Sequence, residues 1–219
     1  MKYKCLVLDH DDTIVDSTRT VHFPSFVEYL EEYYPRFAKS YTLESYLLKN
    51  FSPGIVALLS EEIGLDEAGM KHEEQYWSDY CKCHIPTAFP GMKELISDFK
   101  SAGGIVVIDS HSLTEYIVRD FRENGMLTPD VIFGWDIPKE HRKPNSYTLF
   151  DIMKRYDLSP SDILVVDDLK PGYDMARGAG VDFAAAGWAY DVPEIREFMK
   201  QNCDFYLNSI DDLRTLLFD

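Results

Sequence analysis

Five short apolar runs, most of them followed by polar clusters, limit the folds open to this chain. They cover residues 5–8, 105–108, 131–133, 163–166 and, more weakly, 182–186. Because apolar and polar residues do not alternate within them, these runs are typical of strands buried on both faces of a sheet. Helical patterns separate the later runs, at residues 92–99, 113–124, 146–156 and 172–179. This alternation predicts an α/β fold with a doubly wound, Rossmann-like parallel sheet.

Polar side chains follow three of the predicted strands. Asp9 to Thr13 follow the first, Ser110 to Ser112 the second, and Asp167 with Asp168 the fourth. In open parallel sheets, ligands bind at the carboxyl ends of the strands. We therefore expect these three clusters to form one site.

Residues 16–86 interrupt the alternation directly after the first cluster. This stretch is rich in Tyr, Phe, Glu and Leu and predicts helices near residues 23–33, 43–49, 53–63 and 66–82. We predict an α/β core formed by residues 1–15 and 87–219, with residues 16–86 inserted as a helical cap. A cap at this position can close over the first cluster.

Two carboxylates separated by one residue suit phosphoryl transfer. One can attack phosphorus while the other shuttles a proton, and a magnesium ion can hold the nucleophile and a phosphate oxygen together. Asp9 and Asp11 have this spacing. Further oxygen ligands can come from Asp167 and Asp168, and the remaining phosphate oxygens can be bound by Ser110 and Lys143.

In order along the chain, these clusters resemble the four motifs of the haloacid dehalogenase superfamily. The first motif, an apolar strand followed by Asp-x-Asp-x-Thr, is matched by Leu8-Asp9-His10-Asp11-Asp12-Thr13. Ser110 at a strand end matches the second motif, and Lys143-Pro144 matches the third. Val165-Val166-Asp167-Asp168 matches the fourth, an apolar strand with an acidic pair. The resemblance extends over nearly the whole predicted core.

The resemblance implies a role for each matching residue. Asp9 would form the aspartyl-phosphate, and Asp11 would protonate the leaving group and then activate water. Phosphate would be bound by Ser110, the neighbouring His111, and Lys143. Magnesium would be held by Asp9, Asp11 through its backbone carbonyl, Asp167 and Asp168. The resemblance also implies a helical cap of the C1 type between the first and second motifs.

Three positions depart from the family pattern. Asp12 stands where related phosphatases usually have Gly, and His111 where Asn is frequent. His22 is one residue away from the spacing of a histidine that relays a proton in related phosphomutases. This offset favours a hinge or surface histidine.

The predicted function is a magnesium-dependent phosphatase that acts on a small phosphorylated metabolite. A phosphomutase of the same superfamily and a non-catalytic metal- or phosphate-binding module are the alternatives. Asp11 disfavours dehalogenases and phosphonate hydrolases, which lack the second carboxylate of the first motif.

Composition narrows the partners and the location. The chain has 22 Lys and Arg residues and 38 Asp and Glu residues, and the resulting net charge of −16 argues against nucleic-acid binding. No apolar run approaches the roughly 20 residues that span a bilayer, and no protein partner is evident. With no secretory signal and four cysteines best interpreted as free thiols, we expect a cytoplasmic protein.

Overall fold

The computed structural model describes residues 1–219 and contains one six-stranded sheet. Its strands are β1 (Cys5–Leu8), β2 (Ile105–Asp109), β3 (Val131–Phe133), β4 (Ile163–Asp167), β5 (Asp182–Ala186) and β6 (Phe205–Leu207). They lie in the order β3-β2-β1-β4-β5-β6, and every neighbouring pair is parallel. The predicted doubly wound parallel sheet is confirmed.

Helices cover both faces of this sheet because side chains of successive strand residues point to opposite faces. In β1, Leu6 and Leu8 belong to a cluster of 22 buried residues. Cys5 and Val7 belong to a second cluster of 19. The helices of this part of the chain are α5 (Met92–Ser101), α6 (Thr114–Glu123), α7 (Tyr147–Tyr156), α8 (Lys170–Ala179), α9 (Pro193–Asn202) and α10 (Ile210–Phe218).

The segment between β1 and α5 is helical, and it is called the helical insertion below. It contains a π-helical turn (Thr18–His22), α1 (Phe23–Tyr33), α2 (Leu43–Phe51), α3 (Ile55–Ala57), a second π-helical turn (Leu58–Ile63) and α4 (Glu67–Cys83). Helix α4 begins where the Asp66 side chain accepts a hydrogen bond from the Gly69 N–H at 2.9 Å.

The helical insertion has its own small core of eight buried residues. Most of the aromatic residues between 33 and 46 pack there: Tyr46 is buried in it, and Tyr34, Phe37 and Tyr41 lie against it. Contacts that join the insertion to the sheet domain include two between helices. Phe51 packs edge-on against Phe198 of α9, and α4 meets α6 through the hydroxyls of Ser78 and Tyr116, 2.7 Å apart.

The chain enters and leaves the helical insertion at adjacent points. Val15 pairs with Ala88 in an antiparallel bridge. On either side of this bridge, the Asp16 N–H donates to Thr87 O at 3.0 Å, and the Phe89 N–H donates to Ile14 O at 2.9 Å. The two ends of the insertion are thus hydrogen-bonded to each other beside the end of β1.

Two parts of the fold were not predicted from sequence. The segment α9-β6-α10 adds a sixth strand to the edge of the sheet, where the apolar pattern of three residues is too short to recognise. The predicted helix at residues 53–63 is divided into α3 and a π-helical turn that ends at Gly64, whose φ is 84°. No helix combines the length and the apolar character that crossing a bilayer requires.

Candidate active site

The strand register places three aspartates side by side. Leu8 is paired with Ile108 on one side and with Val166 on the other. The next residues along the three strands are Asp9, Asp109 and Asp167, at the carboxyl ends of β1, β2 and β4. All three are buried. Three carboxylates therefore lie next to one another at the carboxyl ends of the central strands.

The side chain of Lys143 lies between two of these carboxylates. Its Nζ atom is 2.7 Å from Asp9 Oδ1 and 2.6 Å from Asp167 Oδ2, and the lysine is only 7% exposed. Burial opposes its charge, but Asp167 and Asp9 more than compensate and raise the pKa of Lys143 above its ordinary value. Lys143 is therefore a fixed cation, directed at the predicted nucleophile.

One ammonium does not balance the carboxylates of this site. Burial raises the pKa of Asp9 to about 7 even though Lys143 acts in the opposite direction. Burial and the charge of Asp167 raise the pKa of Asp168 well above its ordinary value. Oxygen atoms of Asp9, Asp167 and Asp168 lie within 4.8 Å of one another. Three carboxylates at this separation suit a hard divalent cation such as Mg²⁺.

Neighbouring donors fix the acidic pair at the end of β4. Asp167 Oδ1 accepts a hydrogen bond from the Leu169 N–H at 2.8 Å, which leaves Oδ2 directed at Lys143. Asp168 Oδ2 accepts from the Tyr190 hydroxyl at 2.8 Å. Both carboxylates are thus held in defined orientations.

Asp11 is held apart from this cluster by two donors. The Ser112 hydroxyl donates to Asp11 Oδ2 at 2.5 Å, and His22 Nε2 lies 3.0 Å from Asp11 Oδ1. Burial acts to raise the pKa of Asp11, but His22 and the Ser112 hydrogen bond lower it below its ordinary range. The second carboxylate of the first motif is therefore fixed by partners of its own.

The expectation that His22 is a hinge or surface histidine is wrong. Its side chain is 15% exposed, lines the site and contacts Asp11. The reason is the π-helical turn Thr18–His22, in which the N–H of His22 bonds to Ser17 O, five residues back, at 3.1 Å. A π-helical turn accommodates one residue more than an α-helical turn. The extra residue of this turn compensates for the one-residue offset of His22 from the family spacing, so the side chain still reaches Asp11.

Trp77 of α4 fixes the protonation pattern of His22. The Trp77 indole N–H donates to His22 Nδ1 at 3.0 Å. Burial disfavours the charged ring, while Asp11 raises the pKa of His22 above its ordinary value. The indole nitrogen can only donate, so Nδ1 must accept and the ring proton must lie on Nε2, facing Asp11. The Trp77 contact therefore opposes the charge that Asp11 favours, and it leaves Nε2 as the nitrogen that donates to Asp11.

Asp12 stands at a position that requires an unusual backbone conformation. Its φ is 54°, in the left-handed region that Gly adopts freely and Asp tolerates. The buried side chain accepts a hydrogen bond from the Thr18 N–H at 3.0 Å, and burial raises its pKa to about 6. Asp12 therefore also ties the end of the first motif to the start of the helical insertion.

Ser110 and His111, both predicted to bind phosphate, line the same cavity as Asp9. Ser110 is 3% exposed, and its Oγ accepts a hydrogen bond from the Ser112 N–H at 3.2 Å, so it does not cap α6. His111 Nε2 lies 3.1 Å from Lys143 O, which uses its N–H. Desolvation and the Lys143 ammonium lower the pKa of His111 to about 4. This arrangement favours a role in holding the Lys143 backbone over one in binding phosphate.

A cavity of about 360 Å³ opens between the sheet edge and the helical insertion. Its floor is formed by the residues described above, and its walls include Trp135 from the loop after β3 and α4 residues such as Trp77. Cavities that bind small molecules commonly have this volume. The structure thus gathers all of the predicted site residues around one cavity and adds His22 and Trp77, which were not predicted. Ser112, a member of the predicted second cluster without an assigned role, also lines the cavity and holds Asp11.

Comparison with known proteins gives the same family as the motifs. Residues 6–186 match the model of the haloacid dehalogenase-like hydrolase family. A phosphoglycolate phosphatase of Vibrio vulnificus is 22% identical over 223 residues, which cover 96% of this chain and 94% of the relative.

Two solved structures have the same fold. A Bacteroides fragilis protein provisionally named a haloacid dehalogenase-like hydrolase has a TM-score of 0.79, at 22% identity, over 97% of this chain and 100% of its own. A predicted phosphoglycolate phosphatase from Haemophilus somnus has a TM-score of 0.74, at 18% identity, over 99% of each chain. At these identities the likeness establishes the fold alone. The family match over most of the sequence establishes more: this chain belongs to the haloacid dehalogenase-like hydrolases, as its four motifs predicted.

Proposed function

We propose that this hydrolase is a magnesium-dependent phosphatase, which cleaves a small phosphomonoester through an aspartyl-phosphate on Asp9. One observation carries the proposal. Asp9 lies beside a buried ammonium 2.7 Å away, and the second carboxylate, Asp11, is held separately by its own donors at the same cavity. A nucleophile and an acid–base group with different surroundings suit the two half-reactions. The names of the two phosphoglycolate phosphatases support the same class of reaction.

In the first half-reaction, a carboxylate oxygen of Asp9 attacks phosphorus, and the bond from phosphorus to the leaving oxygen breaks. Asp11 must enter this step protonated, against the effect of His22 and Ser112 on its pKa, and it donates that proton to the leaving oxygen. In the second, Asp11 takes a proton from water as the water attacks the aspartyl-phosphate, which frees phosphate and restores Asp9. The hydrogen bonds from Ser112 and His22 keep Asp11 in one orientation during both transfers.

Charge at the transferred group is balanced by Lys143 and by magnesium. Magnesium would be held by Asp9, Asp167 and Asp168 with the backbone carbonyl of Asp11, and it would neutralise carboxylates and phosphate oxygens when bound. The ammonium of Lys143 orients Asp9 and favours its deprotonated form, against the effect of burial. Ser110 is placed to bind a phosphate oxygen. In this proposal residues 16–86 are the cap and residues 1–15 and 87–219 the catalytic core, a division that the separate core of the insertion supports.

Hydrolysis of an aryl phosphate with and without magnesium tests the proposal. We expect turnover that requires magnesium and that falls by at least about 10³-fold in Asp9→Asn. Asp98→Asn is the matched control, because Asp98 is exposed and pairs only with Arg214. Equal activity of Asp9→Asn and wild type would refute the assignment of the nucleophile. Magnesium binding by a wild-type protein that turns over neither this ester nor a metabolite panel would favour the non-catalytic module.

The His22–Asp11 contact is compatible with the phosphomutase alternative. The sequence offset of His22 favoured a hinge or surface histidine over the proton relay of a mutase, and the contact of His22 with Asp11 removes that argument. A mutase transfers the phosphoryl group between the enzyme and its substrate through a bisphosphate intermediate. A phosphatase transfers it to water and releases inorganic phosphate. Stoichiometric release of inorganic phosphate from a sugar monophosphate, with no isomer formed, would support the phosphatase. Accumulation of an isomeric sugar phosphate would support the mutase.

A further inference from the structure

One face of α4 forms a wall of the cavity on the side of the leaving group. Met70, Glu73, Glu74 and Trp77 follow one another at the spacing of a single helical face, and all four line the cavity. Trp77 contacts His22, which contacts Asp11. Because Asp11 would protonate the leaving oxygen, the remainder of the leaving group must extend along this face.

The glutamates of this wall differ in their partners. Glu67 is paired with Lys71 at 2.8 Å. Glu74 accepts a hydrogen bond from the Trp135 indole N–H at 3.3 Å. Glu73 has neither a hydrogen bond nor an ion pair with any side chain. Burial, with a smaller effect of Glu74, raises the pKa of Glu73 to about 7, and His22 opposes this only in part. Glu73 is thus a poorly solvated carboxyl group that faces the cavity.

No buried cation of the cavity is free to bind a carboxylate of the substrate, and the exposed Lys71, whose side chain is 73% accessible to water, offers only a screened charge. Lys71 and Lys143 are the only lysines or arginines among the lining residues. Lys71 is engaged by Glu67, and Lys143 by Asp9 and Asp167. His22 is held as a donor to Asp11. A negatively charged leaving group would meet Glu73 without a compensating charge, whereas a hydroxyl or ammonium group would give Glu73 the donor that it lacks.

We propose that Glu73 determines substrate class: it accepts a hydrogen bond from a hydroxyl or ammonium group of the leaving group and excludes leaving groups that carry a carboxylate. The preferred substrates are therefore monoesters of neutral or amino alcohols, in contrast to phosphoglycolate, whose leaving group is an acid. This specificity deepens the proposed function and rests on it.

Three monoesters of similar size test the inference: glycerol 3-phosphate, phosphoethanolamine and 2-phosphoglycolate, with an aryl phosphate as the common reference. The assays are run at about pH 8, above the pKa of Glu73, so that Glu73 is ionised. For wild type we expect kcat/KM to be at least about tenfold higher for the first two than for 2-phosphoglycolate, since like charges inside a protein repel strongly. Each compound is also measured as a competitor of the aryl phosphate. The inhibition constants should follow the same order, so slow turnover does not hide the preference.

Glu73→Gln should raise kcat/KM for 2-phosphoglycolate about tenfold relative to the aryl phosphate, and lower it for phosphoethanolamine. Glu61→Gln is the control, because Glu61 is an exposed acid of the same insertion that does not line the cavity. It should leave the ratios unchanged. Glu73→Asp keeps the charge and should keep the wild-type order, which gives a second variant if Glu73→Gln does not fold.

A wild-type preference for 2-phosphoglycolate would overturn the inference, and so would a Glu73→Gln variant that changes all three substrates by one factor. In both cases the aryl phosphate would still be hydrolysed, and the proposed function would stand. Loss of all turnover, including that of the aryl phosphate in wild type, would instead refute the proposed function and this inference together.

Discussion

Helix α8 packs its first turn directly against the side chain of Asp167, and Gly172 makes this approach possible. A Cβ atom at Gly172 would lie 2.2 Å from Asp167 Oδ2 and 2.4 Å from its Cγ, whereas ordinary contact begins at 3.4 Å. In Gly172→Ala, Oδ2 must therefore retreat by more than an ångström or the helix must shift as a whole. Either movement separates Asp167 from the ammonium of Lys143, which is 2.6 Å away in the native chain.

The effect on catalysis should be at least as large as the effect on stability. A misplacement of about 1 Å in a catalytic site can reduce the rate by about 10²-fold, equivalent to about 2.7 kcal/mol of activation free energy. Overpacking costs about 1–3 kcal/mol of folding free energy, while the better helix propensity of Ala returns up to about 1 kcal/mol. We expect Gly172→Ala to remain folded, to lose about 100-fold in kcat, and to need more magnesium for half-maximal rate.

Aryl phosphate kinetics over a magnesium series, together with urea denaturation, measure both effects. Gly69→Ala in α4 is the control, since a Cβ there meets its nearest neighbour at 3.3 Å and is remote from Asp167. It should keep the wild-type kcat. A folded Gly172→Ala variant with wild-type kcat and magnesium dependence would show that the position of Asp167 does not limit the reaction.

Three further changes have expected outcomes. Trp77→Phe removes the donor to His22, a hydrogen bond of about 1 kcal/mol, so kcat should fall about fivefold at constant KM; combined with His22→Ala it should slow the reaction no further than His22→Ala alone. Lys143→Met leaves buried carboxylates unpaired and should lower the free energy of unfolding by about 3–5 kcal/mol in urea denaturation; an unchanged midpoint would contradict this. Burial raises the pKa of Asp109 to about 6, so the folded chain binds a proton that the unfolded chain releases near pH 4, and stability falls as pH rises between these values. Relative to Asp109→Asn, the wild-type free energy of unfolding should drop by about 3 kcal/mol from pH 4 to pH 7; parallel pH profiles would exclude this titration.

The sequence predicts the sheet and the floor of the site well because both follow from one-dimensional patterns. An apolar run without alternation is a buried strand, and parallel strands in register bring their carboxyl ends together. This is why Asp9, Ser110 and Asp167 lie where they were expected. Lys143 lies in a loop, and only its place in the series of family motifs identified it.

The sequence fails where a contact depends on local irregularity or on distant elements. His22 reaches Asp11 only because its turn is π-helical, a feature without a clear sequence signal. Trp77 contacts His22, 55 positions away along the chain, through the packing of α4 on the first turn of the insertion. Glu73 resembles any other acid of an amphipathic helix until the cavity shows which face it occupies. Each of these residues belongs to the wall of the site, whose position is set by tertiary packing.

The paired ends of the helical insertion bear on how such a chain can change in evolution. The insertion enters and leaves beside the Val15–Ala88 bridge. For the rest of the fold it is therefore equivalent to one loop whose two ends are held together. The free-energy cost of closing a loop, which comes from lost chain entropy, rises only by about 0.6 kcal/mol with each doubling of the loop's length. Helices in this segment can therefore be lengthened, shortened or exchanged at little expense to the rest of the fold, and leaving-group preference can diverge while phosphoryl transfer is inherited intact. His22 limits that freedom: it belongs to the exchangeable segment yet holds Asp11, so an insertion without an equivalent side chain would leave the acid with Ser112 as its remaining partner.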